Sequence, residues 1–355
     1  DIKLLVRQAN HQQRILNLDK YELGASDSTV VIVVQVHNRV DYLHPLIDSL
    51  RKARDIENTL LIFSHDFFSD EINQVISTID FCLVMQIFYP FAIQIHPTEF
   101  PGESPKDCPR DIKQGEAIKR NCVNAKYPDK YGHYREAKYC QTKHHWFWKL
   151  SHVFDHMNVT SSFTGPMLFI EEDHYMVEDF IPVLRKMYRL KEKSCPDCSI
   201  FTIGSYEKKP AYGPLASRVD ITNWVSSKHN MGMSFNKEVW VKIKSCAQAF
   251  CAFDDYNWDW SLHNIGMTCI PNKLKVMVSK SPRIYHIGEC GVHHKGKNCD
   301  PAQKVHQIEQ LLSQNKQWLF PTALTVAGYP RAPARMPKPN GGWGDLRDHQ
   351  LCLSF

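Results

Sequence analysis

Val30-Val31-Ile32-Val33-Val34-Gln35-Val36 is the stretch that decides the fold. A β-branched run this unbroken reads as a strand buried on both faces, at the centre of a parallel sheet. Beyond it, Asp41 is placed to cap a helix that carries Leu43, Leu46, Ile47, Leu50 and Ala53 on one face. Residues 59–63 read as a second strand ending at Ser64-His65-Asp66, and Ile72, Val75, Ile76 and Ile79 mark a second amphipathic helix. A third strand is expected over residues 81–88. Strand-helix-strand-helix-strand within about 60 residues predicts the mononucleotide-binding half of a doubly wound α/β fold. The chain has no GxGxxG. Side chains and strand-end backbone must therefore grip any nucleotide, without a glycine-rich phosphate loop.

The apolar run Met167-Leu168-Phe169-Ile170 predicts another buried strand, and Glu171-Glu172-Asp173 follows it directly. Open α/β sheets bind ligands beyond the carboxyl ends of their strands. Three adjacent carboxylates repel one another and resist burial, so a positive partner is expected, and a divalent cation bridging to a diphosphate fits. Residues 89–140 are polar and proline-rich and read as a long surface insertion. Residues 141–154 read as an aromatic helix, and a further helix is expected across about 179–192. Short strands are expected at 199–204, 231–235 and 283–287, with a helix at 236–247. The Pro/Gly-rich, basic stretch 328–344 would be a free tail unless Cys352 pins it back.

The chain has 355 residues, enough for a large core, and a mild net charge of +5 with dispersed basic residues. No basic stripe with interleaved aromatics occurs, which argues against nucleic acid. Twelve cysteines are many for a cytosolic enzyme. Zinc is one reading, but no two CxxC motifs lie at finger or ribbon spacing, and disulfides in an oxidising compartment explain more of the cysteines at once. The sequon Asn158-Val159-Thr160 agrees. No apolar stretch reaches the ~18 residues of a membrane span. The sequence reads as the lumenal or secreted portion of a longer protein whose anchor or signal lies upstream.

Three sites could carry chemistry. Asp173 is the natural ligand for Mg²⁺ or Mn²⁺, because a diphosphate-bound ion takes one or two protein carboxylates. His286 lies in an apolar strand and suits Mn²⁺ as a ligand, though a core histidine is the commoner outcome, and His293 and His294 compete for the role. Asp259 lies between Trp258 and Trp260. An apolar surround raises a carboxyl's pKa and suits a general base acting on a hydroxyl; the alternative is a helix start with its tryptophans in the core. Residues 35–39 and Asp66 leave the first two strands toward the crevice, while Lys143, His144 and His145 could offset phosphate charge.

Seven motifs together carry a resemblance over nearly the whole chain: residues 35–39 (Gln-Val-His-Asn-Arg), 64–66 (Ser-His-Asp), 141–149 (Gln-Thr-Lys-His-His-Trp-Phe-Trp-Lys), 171–175 (Glu-Glu-Asp-His-Tyr), 257–260 (Asn-Trp-Asp-Trp), 288–294 (Gly-Glu-Cys-Gly-Val-His-His) and 340–349 (Asn-Gly-Gly-Trp-Gly-Asp-Leu-Arg-Asp-His). The chain resembles the N-acetylglucosaminyltransferase II family of glycosyltransferases. The resemblance implies a GT-A fold, a mostly parallel Rossmann-like α/β sheet flanked by helices and stabilised by disulfides. It implies a stem remnant at 1–28 and one catalytic domain at 29–355, with 29–165 holding the nucleotide sugar and 166–355 the metal and acceptor. It further implies a Golgi type II membrane enzyme using UDP-GlcNAc and Mn²⁺ to make a β1,2 linkage, with inversion, to the α1,6-linked mannose of an N-glycan whose α1,3 arm already bears GlcNAc.

Carried over residue by residue, the resemblance assigns donor binding to Gln35, Val36, His37, Asn38, Arg39, Asp66, Gln141, Thr142, Lys143, His144 and His145. It assigns metal binding to Asp173 and His286, the catalytic base to Asp259, and acceptor contacts to Glu171 and Trp258. It pairs Cys108–Cys122, Cys195–Cys198, Cys246–Cys269, Cys251–Cys352 and Cys290–Cys299, leaving Cys82 and Cys140 free. In the 205–215 loop, Lys208-Lys209-Pro210 stands where the family has a ligand-contacting arginine, and residues 320–339 also diverge. The alternatives are a sister enzyme acting first on the α1,3 arm, a catalytically silent glycan-binding protein and a zinc protein.

Overall fold

The computed structural model describes residues 1–24, 29–288, 300–332 and 338–355. Its strands are β1 (Ile15–Leu16), β2 (Val30–Val36), β3 (Thr59–His65), β4 (Leu83–Phe88), β5 (Met167–Glu171), β6 (His174–Met176), β7 (Cys198–Thr202), β8 (Arg218–Asn223), β9 (Met233–Phe235), β10 (Lys275–Ser279), β11 (Ile284–His286) and β12 (Thr325–Gly328). Among the described residues ten of them form one sheet, in the order β1-β4-β3-β2-β5-β9-β7-β10-β8-β12, and β11 pairs with β6. The segment β4-β3-β2-β5 is parallel throughout, with Val33 opposite Ile62 on one side and Phe169 on the other. The expected parallel α/β sheet is therefore present, with β2 at its centre. Beyond β5 the sheet turns mixed: β9 runs antiparallel to both β5 and β7.

Strand periodicity builds two cores. Val31 and Val33 of β2, with Leu60 and Ile62 of β3, pack into one apolar cluster; Val30, Ile32, Val34 and Val36, with Leu61 and Phe63, pack into another. Successive side chains point to opposite faces, so an uninterrupted apolar run is what a strand covered on both sides requires. Helices Val40–Arg51, Asp70–Ser77 and Phe180–Ser194 supply apolar residues to the second cluster, and Ala137–Ser151 to the first.

Several expectations need correction. The helix after β2 starts at Val40, with Arg39 at its cap and Asp41 inside its first turn. Asp41 thus favours the helix dipole without capping it. Within residues 1–28 the chain already touches the sheet: β1 pairs with β4, and the Asn10 amide, on helix Ile2–Gln12, brackets Phe88, donating to its carbonyl at 2.6 Å and accepting from its N–H at 2.8 Å. The 89–140 insertion is not merely superficial. Tyr89, Tyr134 and Arg135 are buried, and Asp348, 2.8 Å away, supplies the counter-charge that lets Arg135 be so. Nor is 328–344 a free tail among its described residues: Trp343 is fully buried, and its indole N–H donates to the Cys251 carbonyl at 2.7 Å. Sequence reading did not anticipate β8 and β10, which are short and partly polar.

Four of the expected disulfides are present: Cys108–Cys122, Cys195–Cys198, Cys246–Cys269 and Cys251–Cys352. Cys82 and Cys140 are free and buried, as expected. Cys290–Cys299 lies outside the described residues. Cysteines consumed in disulfides cannot ligate zinc, which removes that reading for these eight. Among the described residues no helix is long and apolar enough to cross a membrane.

Candidate functional site

From β2 the chain steps outward to β3 and β4, and then returns to β5 on the opposite side. The loops leaving β2 and β5 therefore diverge and open a crevice at this switch point. Residues 37–39 and 172–173 occupy it.

Glu172 lies at the centre of the connection and is buried. It accepts from the His37 backbone N–H at 2.7 Å and from Arg39 Nε at 2.5 Å, and its own N–H donates to the Gln35 carbonyl at 3.0 Å. Burial pushes its carboxyl up to about 7 against the pull of Arg39. Asp173 is 3% exposed. Its Oδ2 lies 2.9 Å from Arg39 Nη1 and 3.4 Å from His286 Nε2, while Oδ1 is buried without a hydrogen-bond partner. Burial opposes its ionisation, yet His286 and Arg39 hold Asp173 well below the usual carboxylate range. β11 aligns His286 opposite His174 of β6, which brings both imidazoles to the acidic turn. The His174 Nδ1 accepts from the Glu171 N–H at 3.1 Å, and burial pushes this histidine down to about 4. A Cβ on Gly288 would overlap Asp173 Oδ2, so only glycine lets the chain pass this close.

Glu171, Asp173 and His174 each present a ligand atom, all within 4.8 Å of one another. The orphaned Asp173 Oδ1 and this mixed oxygen and nitrogen donor set fit a divalent cation that accepts imidazole.

On the β3 side of the crevice, Asp66 follows β3 and hydrogen-bonds to His37 Nδ1. His145 Nδ1 faces its other oxygen at 3.4 Å, and Ser64 Oγ lies 2.8 Å from His145 Nε2. Although Asp66 is buried, these imidazoles hold its carboxyl far below the ordinary range, and Asp66 raises His37. Lys149, one turn beyond His145, donates to Gln35 Oε1 at 2.7 Å. Burial lowers this lysine to about 8, and the nearby Glu171 charge works against the shift.

The other nominated residues of this helix turn elsewhere. Gln141 Oε1 accepts from the Ile93 N–H at 2.7 Å. Lys143 is fully buried and donates to the carbonyls of Phe253 and Asp255, each at 3.0 Å. His144 meets Asp348 at 2.9 Å. Three consecutive helical positions point about 100° apart, so they cannot share one ligand face. Val36 is buried within the sheet, Asn38 is exposed and Thr142 half-buried.

Asp259 sits in the first turn of helix Trp258–Thr268 and accepts from Asn230 Nδ2 at 3.0 Å. Burial pushes its carboxyl up to about 7, as expected for an acid in an apolar surround. The Trp258 ring stacks on Trp146 with centroids 4.4 Å apart and planes at 8°, and it is 8% exposed. One Trp258 face is thus packed in the core, as the helix-start alternative expects of these tryptophans. The charges of Glu171, Asp259 and Asp173 all act on the Tyr206 hydroxyl, whose ring lies 6.4 Å from that of His286. Tyr206 is thus close enough to sense both the acidic turn and Asp259. Just before Asp259, Tyr256 joins Tyr134, Tyr139, Asp129, Glu136 and Asn340 around a polar cavity of about 460 Å³.

Sequence reasoning missed Glu172, Lys149, His174, Tyr206 and Asn230 as site residues. Glu172 and His174 stood inside the acidic motif 171–175, and Lys149 lies four residues past His145 on the same helix face, whereas Tyr206 and Asn230 carried no signal. His293 and His294 lie outside the described residues.

The family described as N-acetylglucosaminyltransferase II (MGAT2) matches residues 3–352. The alpha-1,6-mannosyl-glycoprotein 2-beta-N-acetylglucosaminyltransferase of Rattus norvegicus is 50% identical over 99% of this chain and 79% of its own length. The Homo sapiens protein of that name is 48% identical over 99% of this chain and 78% of its own. That of Arabidopsis thaliana is 34% identical over 96% and 77%.

Proposed function

Because this chain belongs to the N-acetylglucosaminyltransferase II family of glycosyltransferases, we propose that it transfers N-acetylglucosamine, with inversion, from UDP-GlcNAc to the 2-hydroxyl of the α1,6-linked mannose of an N-glycan. One observation carries the reading. The switch-point crevice holds an acidic turn with an unsatisfied carboxylate oxygen beside His286, and Tyr206, whose ring lies 6.4 Å from His286, senses the charge of that turn and of a second, proton-accepting acid, Asp259.

Gln35, His37, Arg39 and Asp66 line the nucleotide side of the crevice. Asp66, held ionised by two imidazoles, offers an acceptor for base or ribose N–H and O–H groups. Asp173, with His286 and His174, would hold Mn²⁺, which when bound supplies positive charge to the diphosphate leaving group. Lys149 keeps a positive charge beneath Glu171 and fixes Gln35. Asp259 takes the proton from the mannose hydroxyl as that oxygen attacks C1 of the sugar, and Asn230 orients its carboxylate. Base and leaving group act on opposite faces of the sugar, as inversion requires. The tyrosine-lined polar cavity beside Tyr256 supplies stacking faces and acceptors for the remaining acceptor sugars. We place the enzyme in the Golgi lumen, on an anchor upstream of these residues, where disulfides persist.

Incubating the protein with UDP-GlcNAc, Mn²⁺ and a glycan bearing GlcNAc on its α1,3 arm should yield one added HexNAc, with a β1,2 linkage to the α1,6 mannose. Transfer only to a glycan lacking that GlcNAc would assign the sister activity on the α1,3 arm. Glycan binding without UDP release would leave a lectin.

A further inference from the structure

We propose that Arg39 is a built-in counter-cation for the acidic turn: it holds Asp173 while no divalent ion is bound, and gives up that oxygen when one binds. The inference rests on the cation-assisted reading above.

Glu171, Glu172 and Asp173 are consecutive, and the last two are buried. Like charges this close need a cation within reach. Arg39 supplies it as a two-pronged clamp, with Nε on Glu172 at 2.5 Å and Nη1 on Asp173 Oδ2 at 2.9 Å. The two contacts differ in kind. Glu172 is also fixed by the His37 N–H and the Gln35 carbonyl, so it belongs to the nucleotide loop. Asp173 keeps its other oxygen buried and without a hydrogen-bond donor. An unmet carboxylate oxygen is costly and marks the side from which a cation is drawn in.

A doubly charged ion beside Asp173 would stand a few ångströms from the guanidinium, and the two positive charges would repel. Arg39 can then leave Asp173 and remain anchored to Glu172, with a prong released toward a diphosphate in the same crevice. The clamp thus opposes the bare ion and favours the anionic nucleotide. A purely structural arginine would weaken both ligands when removed; a counter-cation weakens only one.

The test uses the full chain. Mn²⁺ is titrated without nucleotide, following the free-ion signal by electron paramagnetic resonance, and UDP is titrated by calorimetry in saturating Mn²⁺. Arg39→Met should bind Mn²⁺ about tenfold tighter than the parent, by removal of one nearby positive charge. The same variant should bind UDP at least ~threefold more weakly, through loss of a charge-assisted phosphate contact. Arg39→Lys, which keeps the charge, should bind Mn²⁺ within about threefold of the parent. If thermal unfolding shows that Arg39→Met does not fold, Arg39→Gln replaces it with the same expectation. Mn²⁺ affinity equal to or weaker than the parent's in the neutral variant, including no binding in either protein, overturns the inference. Failure of the transferase reading would show separately, as no UDP released from UDP-GlcNAc by the parent enzyme.

Discussion

Asp259 illustrates how one residue's surroundings set its chemistry. Its burial disfavours the charged form, which makes the carboxylate a better base once it is ionised. Asp259→Asn keeps the shape and removes the proton acceptor. Turnover should fall roughly 10²–10⁴-fold with UDP affinity unchanged, read by UDP-release kinetics and calorimetry. Loss of less than tenfold would remove Asp259 from the base role. The parent rate should rise with pH and reach half its plateau near 7, where this carboxyl ionises. Stability should move the other way. The folded-state pKa is raised, so the native protein holds its proton more tightly than the unfolded chain does. Stability therefore falls as pH climbs from about 4 to about 7. Asp259→Asn should accordingly raise the melting temperature at pH 8 and leave it nearly unchanged at pH 4. The sequence shows an acid between two tryptophans, but the direction each ring faces is a packing outcome. Trp258 turned one face to Trp146.

At the scale of the element, helix Ala137–Ser151 shows what a motif conceals. Its residues 141–145 read as one binding segment, yet its turns distribute them around the axis: His145 and Lys149 toward Asp66 and Gln35, His144 toward Asp348, Lys143 toward the 253–255 turn. The last two contacts fix the helix so that the first two can be placed. Asp348 carries much of that fixing, since it meets both His144 and the buried Arg135. Asp348→Ala would leave the buried Arg135 with only the more distant Asp107, 3.5 Å away, as counter-charge. We expect a loss of about 3–5 kcal/mol, measured by urea denaturation. A loss below 1 kcal/mol would mean that Arg135 finds water or Asp107 instead. Strands β2 to β5 were legible as elements because two-sided burial demands apolar residues throughout. Strands β8 and β10 were not: β8 alternates but carries only two apolar residues, Val219 and Ile221, and β10 has a short apolar run, Val276-Met277-Val278, between Lys275 and Ser279.

For the whole molecule, the C-terminal helix Leu346–Leu353 closes the structure. Cys352 ties it to Cys251 across a sequence separation of 101 residues, and Trp343 fills the space beneath it. A cross-link over so long a loop restricts the unfolded chain strongly, so replacing Cys251 and Cys352 by alanine should cost about 2–5 kcal/mol. A thiol count on denatured, unreduced protein should find two, from Cys82 and Cys140; four would mean that Cys290 and Cys299 are unpaired. By itself the sequence determined the nucleotide-binding topology, the acidic turn at a strand end, the disulfide-rich character and the family, because burial period and strings of adjacent residues are local properties written along the chain. Only the tertiary structure decided which carboxylate stands open beside which cation, that Glu172 ties the two halves of the crevice, and that Tyr206 comes to lie beside His286. Those relations join residues far apart in sequence, and they arise from strand order and close packing, to which no single segment holds the key.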